Sequence, residues 1–174
     1  MPAVAARTRA PLNSGLRFRS LFEIQMRVVV RPGHPLAGAR RLQELVHASW
    51  LSMAAPGNPG DLIQQSFIAA GLPAPVPTVH CGSHSVVLDL IAASDLVALL
   101  PPALSRSCIA AGRLAELPLA EPLVPLHVGV YTRADSPMAP AANTAAQIIV
   151  VIARRIAASG DLRRTEPTAG VVAA

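Results

Sequence analysis

The chain contains no lysine, and all 15 of its basic residues are arginine. Such a bias reads first as genomic base composition and only second as chemistry. Aromatics make up 3% of the residues: one Trp, one Tyr and three Phe. That scarcity leaves few faces on which bases or sugars could stack, and it argues against single-strand nucleic-acid binding. Cysteine is limited to Cys81 and Cys108, outside any CxxC or metal-ligand spacing. Two reduced thiols of a cytoplasmic protein are the simplest reading, with a disulfide between them left open. No uncharged apolar run opens the chain between Met1 and Gly15. The longest apolar stretch, Val86 to Leu104, is interrupted by Asp89, Asp95 and Pro101-Pro102. Neither export nor a membrane span is expected. GxGxxG, Walker, GxSxG and HExxH patterns are all missing, so the strongest signatures of an enzyme are absent and no enzyme is expected, with an α/β enzyme bearing an unrecognised site kept as the alternative.

What is present is aliphatic. Hydrophobic residues make up 52% of 174 positions, enough for a substantial buried core. Charge is unevenly placed: residues 1–41 hold eight arginines against Glu23 alone, while the remainder holds seven arginines against nine carboxylates. A basic end could meet nucleic acid or membrane phosphate. These arginines are spread among prolines and strand-like stretches instead of forming a block, which favours a solvated or ligand-facing surface.

Alternation from Glu23 to Arg31 puts Ile24, Met26, Val28 and Val30 on one side and predicts a single strand with one buried face. A short helical piece at Arg41 to His47 and a strand at Trp50 to Met53 follow. Asn58-Pro59-Gly60-Asp61 predicts a helix start with Asn58 as N-cap and Pro59 at the first helical position, Gly71 ending the helix. Val76 to Cys81 reads as a strand. The helix after it, Ser83 to Ala93, is expected to bury Val86, Val87, Leu90 and Ile91. The continuous run Leu96 to Leu100 suits a strand covered on both faces. A helix over Pro102 to Ala111, strands at Leu114 to Leu117 and Leu123 to Tyr131, and a last helix at Ala139 to Ser159 complete the pattern. That last helix is expected to be dry at Ile148, Ile149, Ile152 and Ile156. Strands alternating with helices imply an α/β fold, and the excursion between residues 50 and 120 suggests two lobes joined by two crossing strands.

One segment carries chemical content. Cys81-Gly82-Ser83-His84-Ser85 turns a strand end directly into a helix start, where free N–H groups attract anions, Gly82 permits close backbone approach, and Ser83 and Ser85 add hydroxyls. A carboxylate cradle and an ordinary helix cap are both consistent with it. Met53-Ala54-Ala55 is a second candidate cradle of small residues, with an ordinary loop as the plainer reading. His80 and His84 straddle the turn and would not share a helical face, so neither a metal nor a cofactor is expected.

At Val28-Val29-Val30-Arg31-Pro32-Gly33-His34-Pro35-Leu36-Ala37 the chain resembles the effector-binding domain of LysR-type transcriptional regulators. Leu42-Gln43-Glu44-Leu45, Trp50-Leu51, Phe67 to Pro73, Ala92 to Pro101 and Gly112-Arg113-Leu114 continue the likeness, in order and spacing, from about Val4 to Ala157. The resemblance implies a type 2 periplasmic-binding-protein fold, two α/β lobes with a cleft that takes a small organic acid, aromatic or sugar-derived; a solute-binding protein of the same fold is the alternative. It also implies that lobe one is incomplete, with the winged helix-turn-helix and the first part of the lobe lying before Met1. The expected division is a partial lobe one with hinge strand at 1–48, lobe two at 49–121, a return strand and helix at 122–159, and a flexible tail at 160–174. Carried over by position, Gly82, Ser83, His84 and Ser85 hold the effector. Met53 and Ala54, from the second candidate cradle, are also expected to bind it, and by position Arg7 and Thr8 sit on a lobe-one loop facing the cleft. DNA contact is expected only through the missing N-terminal domain; homo-oligomerisation is expected in the full-length regulator, and an incomplete lobe one with exposed apolar sheet edges would make this chain self-associate too.

Overall fold

The apolar positions Ile24, Met26, Val28 and Val30 keep a two-residue period in the sequence, yet the backbone changes sheet inside it. The computed structural model describes residues 3–7, 16–55, 57–58, 61–133, 140–156 and 162–164. Strand β2 (Leu16–Ile24) ends before Gln25, and β3 (Arg27–Val30) begins after Met26. The two strands belong to different sheets. With β1 (Ala3–Arg7), the other strands are β4 (Ser49–Ser52), β5 (Val79–His80), β6 (Leu96–Leu100), β7 (Ala115–Leu117), β8 (Leu126–Arg133) and β9 (Leu162–Arg164). Helices are α1 (Leu62–Ala69), α2 (His84–Ala93), α3 (Pro102–Ala110) and α4 (Pro140–Ile156). The chain divides into Met1–Gln25 with Pro125–Ala174, and Met26–Val124. Residues 26–48, expected with the first lobe, therefore pack in the second unit, because β3 is paired to β6 and β7.

The Met26–Val124 unit is a five-stranded sheet in the order β5-β4-β6-β3-β7. Strands β5, β4 and β6 are parallel, and β3 runs antiparallel to β6 and β7. On one face Val29, Leu51, Ala98 and Leu100 pack with Val87 and Ile91 of α2 and with Leu114. Register partners share a face, so Val28, Leu99, Trp50 and Val97 point to the other. There Trp50 meets Phe67 of α1 edge-on, ring centroids 5.7 Å apart, and its indole N–H donates to the Leu45 carbonyl at 3.1 Å. The run Leu96 to Leu100 is buried on both faces because it lies mid-sheet, as its unbroken apolarity predicts.

Several boundaries differ from the sequence expectation. Helix α1 starts at Leu62 with Asp61 as N-cap, its carboxylate accepting the Ile63 N–H at 2.8 Å. Asn58 instead accepts the Asp61 N–H through its carbonyl, and Pro59 lies outside the described residues. Strand β5 has two residues, and Val76 is 81% exposed. Val86 is 46% exposed, because α2 turns only Val87 and Ile91 fully inward.

The first unit is a four-stranded antiparallel sheet, β1-β8-β2-β9, with a register shift between Ser20 and Phe22. The expected flexible tail contributes β9, paired to β2 from Phe22 to Ile24; residues 165–174 lie outside the described set. On α4 the expected dry face is corrected at Ile148 and Ile152 and holds in part at Ile149, while the side chain of Ile156 lies outside the described set. Ile148 is 53% exposed and Val151 and Ile152 are half-exposed, while Ala146, Ile149 and Val150 are the more covered.

His34 in the turn after β3 acts structurally. Its Nδ1 accepts the Leu36 N–H at 3.0 Å, which places the ring proton on Nε2 for donation to the Asp95 carbonyl at 3.1 Å. The same corner carries the Arg31–Asp95 ion pair at 2.6 Å.

Candidate functional site

Strand order decides where the second unit can hold a ligand. From β4 the chain crosses outward through α1 to β5, then returns through α2 to β6 on the other side of β4. Adjacent parallel strands whose connections leave in opposite directions open a crevice beyond their carboxyl ends. Here that pair is β4 and β6, whose carboxyl ends are Ser52 and Leu100, with the end of β5 at His80 alongside β4.

Pairing of β4 with β5 brings the two candidate cradles side by side. Leu51 stands opposite Val79 and Ser52 opposite His80, and the Ser52 carbonyl accepts the Cys81 N–H at 3.0 Å. Beyond this point the chains separate into Met53-Ala54 on one side and Gly82-Ser83 on the other. The His80 imidazole Nδ1 lies 2.9 Å from the Ala54 carbonyl and ties the two loops together. A buried brace holds the first loop. The Ser52 hydroxyl donates to Asp61 Oδ2 at 2.5 Å and accepts the Ala54 N–H at 3.1 Å, while the other oxygen of Asp61 caps α1. Neither Ser52 nor His80 stands out in the sequence as a site residue. Their roles depend on the β4–β5 pairing and on a contact across nine residues, which no local motif signals.

Helix α2 begins at His84 with Ser83 in the N-cap position, in extended conformation and with no side-chain cap bond. The Ser83 hydroxyl instead lies 3.4 Å from that of Ser85. The first-turn N–H groups therefore have no capping side chain, and Gly82, Ser83, His84 and Ser85 are all exposed. Gly82 does not have positive φ, and a Cβ built on it meets nothing within 4 Å. The fold itself does not require glycine here. Chemically the edge offers amide donors at the positive end of a helix, two hydroxyls and two imidazoles, a set suited to an anion that also carries hydroxyl groups.

Arg7 does not lie in a loop: it closes β1 and stands opposite His127 of β8. Thr8 is outside the described residues. Asp89 and Asp95 are each paired with an arginine, Arg113 and Arg31. Among the described residues no group of three or more His, Cys, Asp or Glu could hold a metal ion, and no helix is long and apolar enough to cross a membrane.

Two units joined by two chain crossings, one of them built on a switch-point sheet, define the periplasmic-binding-protein-like class of sensor domain. The same fold is found in the regulatory domain of MetR, a LysR family regulator from N. meningitidis. That structure matches with a TM-score of 0.75 and 21% identity over 94% of this chain and 77% of that one. The effector binding domain of QuiR in complex with shikimate matches with a TM-score of 0.67 and 18% identity, over 87% of this chain and 72% of that one. The family model of the LysR substrate binding domain matches residues 4–150, and the chain belongs to that family. It is 34% identical over 123 residues to the HTH-type transcriptional regulator GalR of Pseudomonas putida. The match covers 70% of this chain and 31% of that protein's length.

Proposed function

We propose that the chain is the effector-sensing part of a LysR-type transcriptional regulator, binding a small organic acid, aromatic or sugar-derived, at the carboxyl ends of β4 and β5. Gly82, Ser83, His84 and Ser85 face the carboxylate, and Met53 and Ala54 line the adjoining loop. The reading rests on one observation: the uncapped first turn of α2 emerges beside a loop braced by Ser52 and Asp61. Support also comes from the QuiR match, whose shikimate is a hydroxylated carboxylic acid. On this reading the protein works by binding and not by catalysis, in the cytoplasm. Contact with DNA and assembly into oligomers belong to the full-length regulator.

Gly82→Ala tests the proposal cleanly, because the added methyl enters open space in the protein and obstructs only a ligand lying against the backbone. Calorimetry with a panel of aromatic and hydroxylated carboxylates, shikimate included, should find an acid that binds. Gly82→Ala should weaken it about tenfold, the scale of one lost hydrogen bond to a charged group, at an unchanged melting temperature. Ser83→Pro, which removes an amide donor, should weaken it as well. Equal affinities in all three proteins would sink the site, as would equal binding of the uncharged amide analogue.

A further inference from the structure

Both chain crossings between the two units fall near a single side-chain pair. The chain leaves the first unit after Gln25 and re-enters it at Pro125. Glu23 stands two residues before the first crossing, and His127 two residues after the start of the second. They are register partners across β2 and β8, with His127 Nδ1 3.3 Å from Glu23 Oε1. The side chains are only 19% and 26% exposed, so water competes weakly for this contact. The pair beyond it, Ile24 opposite Leu126, is the last of the ladder. The same row continues outward on both sides, with Arg7 of β1 at the register position opposite His127 and Arg163 of β9 opposite Glu23. Glu23 is thus the one carboxylate in a four-strand row that otherwise holds two arginines and a histidine.

We infer that the Glu23–His127 contact is a clasp that keeps the two crossing segments paired at the point where they leave the sheet. Glu23 and His127 act as positioning residues for the crossings, a role that goes beyond effector binding and does not depend on it. Without the clasp the ladder frays from this end, and the crossings start from residues no longer held in register.

Native-state hydrogen exchange on the whole chain tests this. In Glu23→Gln and in His127→Asn, amides of residues 22–24 and 126–128 should exchange about two- to fivefold faster, the range of a cross-strand pair. The double variant should exchange no faster than either single one. Phe18, Arg19, Tyr131 and Thr132, at the far end of the ladder, should not change, and β3 and β6 report that the second unit stays folded. Unchanged exchange at the crossings, equal acceleration at both ends of the ladder, or additive effects in the double variant would overturn the clasp. Should Glu23→Gln fail to fold, Glu23→Asp, which keeps the charge but shortens its reach, is read by the same pattern.

Discussion

The two units handle charge in opposite ways. The Met26–Val124 unit has six arginines and six carboxylates, and the other has nine arginines against four carboxylates. In the neutral unit four arginines pair with carboxylates distant in sequence: Arg27 with Glu116, Arg31 with Asp95, Arg41 with Glu121 and Arg113 with Asp89. Glu44 accepts the backbone N–H groups of Arg40 and Arg41, and Asp61 caps α1. Its core is closed around Trp50 and Phe67. Among the described residues of the cationic unit, antiparallel ladders and the Glu23–His127 contact join the strands, with apolar residues half-exposed on α4. The contrast teaches that the candidate site stands on the unit whose six carboxylates all have partners within it, which suits a frame that must hold loop ends still.

The largest expected effect comes from attacking that frame. Trp50→Ala removes a fully buried ring together with its indole hydrogen bond. It should cost about 3–5 kcal/mol, read as a shift of the denaturant midpoint followed by amides of β4 and β6. A loss below about 1 kcal/mol would mean that the two units do not differ in this way.

Salt should separate the units more gently. Screening relieves repulsion among the excess arginines of the first unit and has little net charge to act on in the second. Between about 0.05 and 0.5 M salt, exchange in the β2–β8 ladder should slow about twofold, while that in the β3–β6 ladder stays level. Equal responses would show that net charge does not distinguish them.

Acid should act through Glu121. The Leu42 N–H, 3.0 Å from its carboxylate, is the main cause holding this group below the usual carboxylate range, with Arg41 adding to it. A carboxyl group lowered in the folded state stabilises the protein above its ordinary value, and that contribution is lost as pH falls through the folded value. The stability gap between wild type and Glu121→Gln should therefore be widest near neutrality and narrow on acidification. A gap that ignores pH would refute the assignment.

The smallest expected effect is at Ser105, whose buried hydroxyl has no hydrogen-bond partner among the described residues. Ser105→Ala should leave stability unchanged or raise it by up to about 1 kcal/mol. A clear loss in thermal unfolding would reveal a partner for that oxygen.

How legible these features were depends on whether their signals are local. Leu96 to Leu100 and the Pro101-Pro102 helix start were readable because a continuous apolar run and a proline at a first helical turn carry their meaning within a few residues. The turn from β5 into α2 was readable on the same grounds. The change of sheet at Gln25–Met26 was hidden because both strands keep the same inside–outside period through the crossing. Strand β9 was missed because three residues show no periodicity and gain their pairing from β2. At the candidate site the Gly82–Ser85 half could be read, whereas the approach of Ala54 to His80 depends on a pairing across 28 residues, from Leu51 to Val79.

The neighbouring ends of β4 and β5 also bear on how such a domain could be diversified. The two candidate stretches, Met53–Ala55 and Cys81–Ser85, are short and contiguous, and most of their residues lie outside the packed interior. Their sequence can drift, or be grafted from a cousin, while the sheet beneath stays as it is. On the proposed function, a handful of randomised codons in those two patches would make a compact library for redirecting the domain to a new small molecule.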